Sequence, residues 1–192
     1  MITLFSAKKY EESSTTEQNE QDPFKNNIHL QFGAIAGSVL ILLFVLYYVM
    51  GWNYDRDYKS WIPSIVFMLL IVAAQFKHTS VVDDSIPFGN LFAKGFKTAA
   101  VGTCIYVLFL VLFIWLDPGY KERMLSMSKQ NMIEQGLTSE EIKSGMAMAR
   151  DYFLSSAISG AVLGELLLGV IASLAGAAAA PKHKKPELKS LS

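Results

Sequence analysis

Cysteine is almost absent from this chain: Cys104 stands alone in 192 residues, which excludes an intrachain disulfide and a cysteine cluster. Histidine is scarce too, and His29, His78 and His183 fall in three separate segments, a spacing that predicts no metal site. Net charge is missing, because 17 Lys plus Arg balance 17 Asp plus Glu, and with it goes the electrostatic footprint of a polyanion-binding or nucleic-acid-binding protein. No nucleophile stands with a base and an orienting group, and "SIPFGNLFAKGF" (85–96) has glycines without the GxxxxGK of a phosphate loop. A non-enzymatic protein without cofactor or metal is therefore expected.

Apolar residues, by contrast, are plentiful and come in blocks. They make up 52% of the chain, and four blocks are long and uncharged enough to cross a bilayer. The first, Leu30 to Met50, has no charge over 21 residues. The second, Trp61 to Phe76, is 16 residues long and reads as a short span with Pro63 in its first turn, where a missing N–H costs little. The third runs from Gly95 to Leu116, with Lys97 near enough to its end to snorkel, and the fourth from Ser156 to Ala180. Backbone polar groups in lipid must bond within the chain, so an all-α protein with four transmembrane helices follows. The polar tail 1–27 reads as disordered, 28–180 as the membrane domain, and 181–192 as a short basic tail. No cleavable signal is expected, because the first apolar run follows about 27 mostly polar residues.

Between the third and fourth spans, residues 117–155 carry the one sizeable polar region with a helical signal. Met124, Met127 and Ile133 recur at helical spacing up to Gly136; Thr138 and Glu141 then form a capping-box pattern ahead of a stripe of Ile142, Met146, Ala149 and Phe153. A helical hairpin is predicted, its second arm running into the fourth span. Charge suggests an orientation. The side holding both termini and the loop 77–94 carries ten Lys or Arg, counting Lys97, against seven on the hairpin side. Lys182, Lys184 and Lys185 lie directly after the last span, where they suit anionic lipid headgroups, so cytoplasmic termini and a periplasmic hairpin are expected. Trp52, Trp61, Trp115, Tyr54, Tyr58 and Tyr120 gather at the hairpin-side ends, as an interfacial belt would.

Glu165 interrupts the fourth span. On a helical wheel Ala161, Gly169, Ala172 and Gly176 fall within about 40° of it, while Leu163, Leu167 and Leu174 point away. A face of small residues admits a neighbouring helix and a leucine face suits lipid, so the acid should point into the bundle near mid-depth. An unpaired carboxylate there would be costly. The favoured reading is a protonated interhelical hydrogen-bond donor, with Tyr106 the first candidate acceptor and Thr103 or Ser38 behind it. A proton or cation relay in a small transporter or channel, and a lipid or ligand contact, are the alternatives. Cys104 reads as a core thiol. The small-residue series Gly160/Gly164 and Gly169/Ser173/Ala177 predicts close helix packing, either within the chain or with another copy or membrane partner.

The stretch Trp115 to Phe153, with Asp117-Pro118 after the third span and "GLTSEE" at 136–141, together with "FAKGFKTA" at 92–99, resembles a bacterial membrane family abundant in the Bacteroidetes, domain-of-unknown-function family 4199. The resemblance covers about Asn27 to Ala179. It implies four spans and the inner membrane of a Gram-negative cell, and it assigns no catalytic residue. Glu165 and the long N-terminal tail are not mapped by it.

Overall fold

The computed structural model describes residues 28–52, 58–81 and 86–180. The two tails, with Lys182, Lys184 and Lys185, and Tyr54 of the expected aromatic belt lie outside the described residues. Four helices are long and apolar enough to cross a membrane: α1 (Ile28–Val49), α2 (Ile62–Val81, entered through a 3-10 turn at Tyr58–Trp61), α3 (Phe88–Leu116) and, after the hairpin, α6 (Phe153–Ala179). The hairpin consists of α4 (Pro118–Glu134) and α5 (Ser139–Asp151).

Two boundaries differ from the sequence reading. Helix α2 continues past Phe76 through Lys77 and His78, and α3 starts at Phe88 rather than Gly95. The charges at 77 and 94 bounded the apolar runs without ending the helices, because backbone hydrogen bonds continue beneath a lysine whose head can reach water.

Around the bundle the order is α1, α3, α6, α2, with α1 and α6 on a diagonal. Small residues set the closest approaches. A Cβ on Gly33 would stand 2.6 Å from Cβ of Val101, and one on Gly37 2.8 Å from Cβ of Ile105, so α1 lies on α3 through a Gly-xxx-Gly face. Helix α6 meets α3 where a Cβ on Gly169 would stand 2.5 Å from that of Ala99. Inside, Ala36, Leu40, Phe67, Ile71, Ala99 and Ala172 form one buried apolar layer across all four helices. Outside, Leu42, Leu69, Leu108, Leu163 and Leu167 are exposed, as lipid-facing residues should be.

The hairpin follows its local signals. Pro118 occupies the first turn of α4, Gly136 ends the arm with φ +75°, and Thr138 caps α5 in a capping box closed by Glu141. Because Thr138 backbone N–H and hydroxyl both donate to it, the Glu141 carboxyl is held below the usual carboxylate range. Only Tyr152 separates α5 from α6, so the second arm is nearly continuous with the last span.

Candidate functional site

Three polar constellations stand out in an otherwise apolar bundle. The first surrounds Glu165. Its carboxylate faces the interior, as its small-residue face predicts, while Leu163, Leu167 and Leu174 are exposed. It borders a cavity of about 230 Å³. Helix α1 contributes Leu40, Phe44 and Tyr47, α2 contributes Pro63 and Ser64, α3 contributes Tyr106, and Trp52 and Ser60 lie at the hairpin end. Glu165 is twelve residues beyond the start of α6, hence about 18 Å along it. On the other side of the acid, toward residues 28 and 180, the apolar layer of Phe67, Ile71, Ala99 and Ala172 is fully buried.

The structure unites some of the expected residues and separates others. Tyr106 shares the Glu165 cavity, but no hydrogen bond joins them, and Glu165 Oε2 is buried without a partner among the described residues. The expected donor bond is therefore not formed. Thr103 is buried on α3 with its Oγ1 unpartnered and does not line the cavity. Ser38 is corrected outright: it is exposed, because Gly33, Ala36, Gly37 and Leu40 turn the opposite side of α1 inward. Cys104 is likewise exposed rather than core, one step round the helix from the buried Thr103. Tyr120 leaves the expected interfacial belt and is buried among Phe44, Tyr48 and Phe113, with ring centroids 5.4–6.3 Å away.

The second constellation was not foreseen. Gln75 is fully buried between α2, α3 and α6, and its Nε2 donates to the carbonyl oxygens of Leu91 at 3.0 Å and Ser173 at 2.9 Å. Space for the amide comes from Gly95, where a Cβ would stand 2.5 Å from Nε2, and from Gly176, where a Cβ would overlap Oε1. Nearby, at the end of the bundle near residues 28 and 180, His29, His78 and Lys94 line a cavity of about 20 Å³. The fold thus joins two histidines that are far apart in sequence. Among the described residues no group of three or more potential metal ligands forms.

The third constellation fastens the hairpin to α1. Tyr48 Oη donates to Asp117 Oδ2 at 2.5 Å, and Arg123 Nη2 donates to the same carboxylate at 2.7 Å and to Tyr48 Oη at 2.5 Å. The Tyr48 hydrogen bond first, and then the Arg123 charge, hold the Asp117 carboxyl below its ordinary value of 3.8. A depressed folded-state value favours the carboxylate, so its contribution is complete above the unfolded value and is lost as pH falls through the folded one. Asp117→Asn should therefore lower the melting temperature of the detergent-solubilised protein at pH 7, and the gap to wild type should close as pH drops below 3.8. A gap of constant size across that window would refute the anchor.

These features define a helical multi-pass membrane protein with four membrane-crossing helices and an extramembrane hairpin. The family model described as protein of unknown function (DUF4199) matches residues 31–182, and the chain belongs to that family. No curated protein and no solved structure shows significant similarity to it.

Proposed function

We propose that the chain is a non-enzymatic membrane protein with a structural or regulatory role, acting as an assembly of copies that meet through α6. The observation that carries this reading is the division of labour among the small residues of α6. Gly169, Ser173 and Ala177 are used up inside the bundle, whereas Gly160 and Gly164 are exposed, with nothing among the described residues within 4 Å of a Cβ placed on either. A bare Gly-xxx-Gly face one turn apart lets a second backbone approach closely. Crosslinking in native membranes should give a species of twice the monomer mass. Gly160→Leu/Gly164→Leu should abolish it and leave the monomer's melting temperature unchanged, because neither position packs against a described residue of the chain. A strictly monomeric wild type at native abundance would sink the proposal.

The inner membrane, cytoplasmic termini and a periplasmic hairpin complete the reading, supported by the lysines at 182, 184 and 185. In a Cys104→Ser background, a cysteine at position 129 should react with a membrane-impermeant thiol reagent in intact spheroplasts and one at 188 should not. The reverse pattern would invert the orientation. The cavity at Glu165 lends some support to a proton or cation relay, the second reading. Against it stands the fully buried apolar layer of Phe67, Ile71, Ala99 and Ala172 on the side of Glu165 toward residues 28 and 180, which favours assembly over transport.

A further inference from the structure

The cavity beside Glu165 combines four properties. It carries an acid whose Oε2 is buried and has no hydrogen-bond partner among the described residues. Among the described residues no Lys, Arg or His lines it, although Lys59 reaches the outer ring at Trp52. Four of its nine lining residues, Phe44, Tyr47, Trp52 and Tyr106, are aromatic. Its volume of about 230 Å³ equals that of roughly eight waters, enough for a compact organic group and too small for a lipid or a folded peptide.

A lone carboxylate without a counter-ion repels anions and leaves a neutral ligand's polar atoms facing an unmatched charge. Ring faces present the negative side of their quadrupole, which attracts a cation and prefers one whose charge is spread over methyl groups, because such a cation loses little hydration. One end of the wall already holds an ammonium: Lys59 Nζ lies 4.9 Å from the centroid of the Trp52 ring. Lys59 forms no ion pair with Glu165 among the described residues, so the charge deeper in the cavity is left for a ligand. Ser60, another of the lining residues, is exposed at that same end.

We propose that this cavity is a binding site for a compact organic monocation of the alkylammonium class, with Glu165 as the counter-charge and the Phe44, Tyr47, Trp52 and Tyr106 rings as its cage. The site is separate from the open face of α6 carrying Gly160 and Gly164, so it stands or falls independently of self-association.

The test uses the full chain in lipid nanodiscs with Trp61→Phe and Trp115→Phe, both exposed positions, so that Trp52 alone reports by fluorescence. Choline is the probe, and its neutral isostere with carbon in place of the ammonium nitrogen is the control. Choline should change Trp52 emission saturably, and the isostere should bind at least tenfold more weakly. Glu165→Gln should weaken choline at least tenfold and bring the two probes together. Ser64→Phe, which fills the cavity from α2, should abolish binding even if the glutamine variant fails to fold. Equal affinity for choline and its isostere would mark a merely apolar void and overturn the proposal. Unchanged choline affinity in a folded Glu165→Gln protein would overturn it as well, as would the absence of a saturable choline signal.

Discussion

Gly176→Ala should lower the melting temperature of the purified protein by about 6–12 °C, although it adds a single methyl group. The new Cβ would overlap Gln75 Oε1 and stand 2.9 Å from its Cδ, with the α2 backbone at Val72 Cα only 3.4 Å away. The amide cannot swing aside, because Nε2 is held by the Leu91 and Ser173 carbonyls and closed in at Gly95. Relief must come from separating α6 and α2. Overpacking of this kind costs about 3 kcal/mol at the upper end of its usual range, which for a chain of this size corresponds to the stated shift. The partner can be identified by a cycle: with Gln75→Ala in place, Gly176→Ala should cost little, because the atoms it strikes are gone. Additive effects of the two substitutions would show that Gln75 is not the obstacle.

This amide also marks where the sequence stopped being informative. Gln75 sits in an apolar run, and its partners Leu91, Gly95, Ser173 and Gly176 come from two other helices. Their meeting depends on the order of helices around the bundle, on which neither periodicity nor spacing bears. His29 and His78 meet at one small cavity for the same reason. Glu165, by contrast, could be oriented from its own helix, since glycine and alanine on one side and leucine on the other distinguish an inner from a lipid-facing surface. Helix α1 offers no such contrast by hydrophobicity, and depth alone admitted Ser38 as a partner. Its exposure follows once Gly33 and Gly37 are recognised as the packing face, because the residue after Gly37 is turned by about 100°.

The hairpin was legible because its signals are local. The Thr138–Glu141 capping box, Pro118 at a helix start and Gly136 at a helix end are each fixed within a few residues. Its attachment to the bundle was not, because Tyr48 lies 69 residues from Asp117 and 75 from Arg123. The Asp117-Pro118 pair thus does two things: the proline starts α4, and the aspartate ties that start back to α1.

Phe67→Ala should be the most damaging truncation in the interior. Phe67 has no exposed surface, belongs to the layer with Ile71, Ala36, Leu40, Ala99 and Ala172, and lies where a Cβ on Gly102 would be 3.1 Å from its Cε2. In a water-soluble core, losing a buried phenylalanine costs about 3–5 kcal/mol. Part of that is transfer from water, which a span already in lipid does not recover, because lipid tails are as apolar as the core. The lost packing and the void remain, so about 2 kcal/mol is expected, or roughly 4–8 °C in melting temperature. Phe67→Leu keeps most of the volume and should cost less than half as much. The position has a second consequence, because Phe67 stands on α2 between Ser64, which lines the Glu165 cavity, and the buried Gln75. Removing it extends the cavity toward a buried carboxamide oxygen that lacks a donor, and water entering there would find a partner. Hydrogen exchange at the Gln75 side-chain amide, followed by NMR in nanodiscs, should therefore accelerate in Phe67→Ala and not in Phe67→Leu. Wild-type stability and unchanged exchange in the alanine variant would show that Phe67 does not close the bundle.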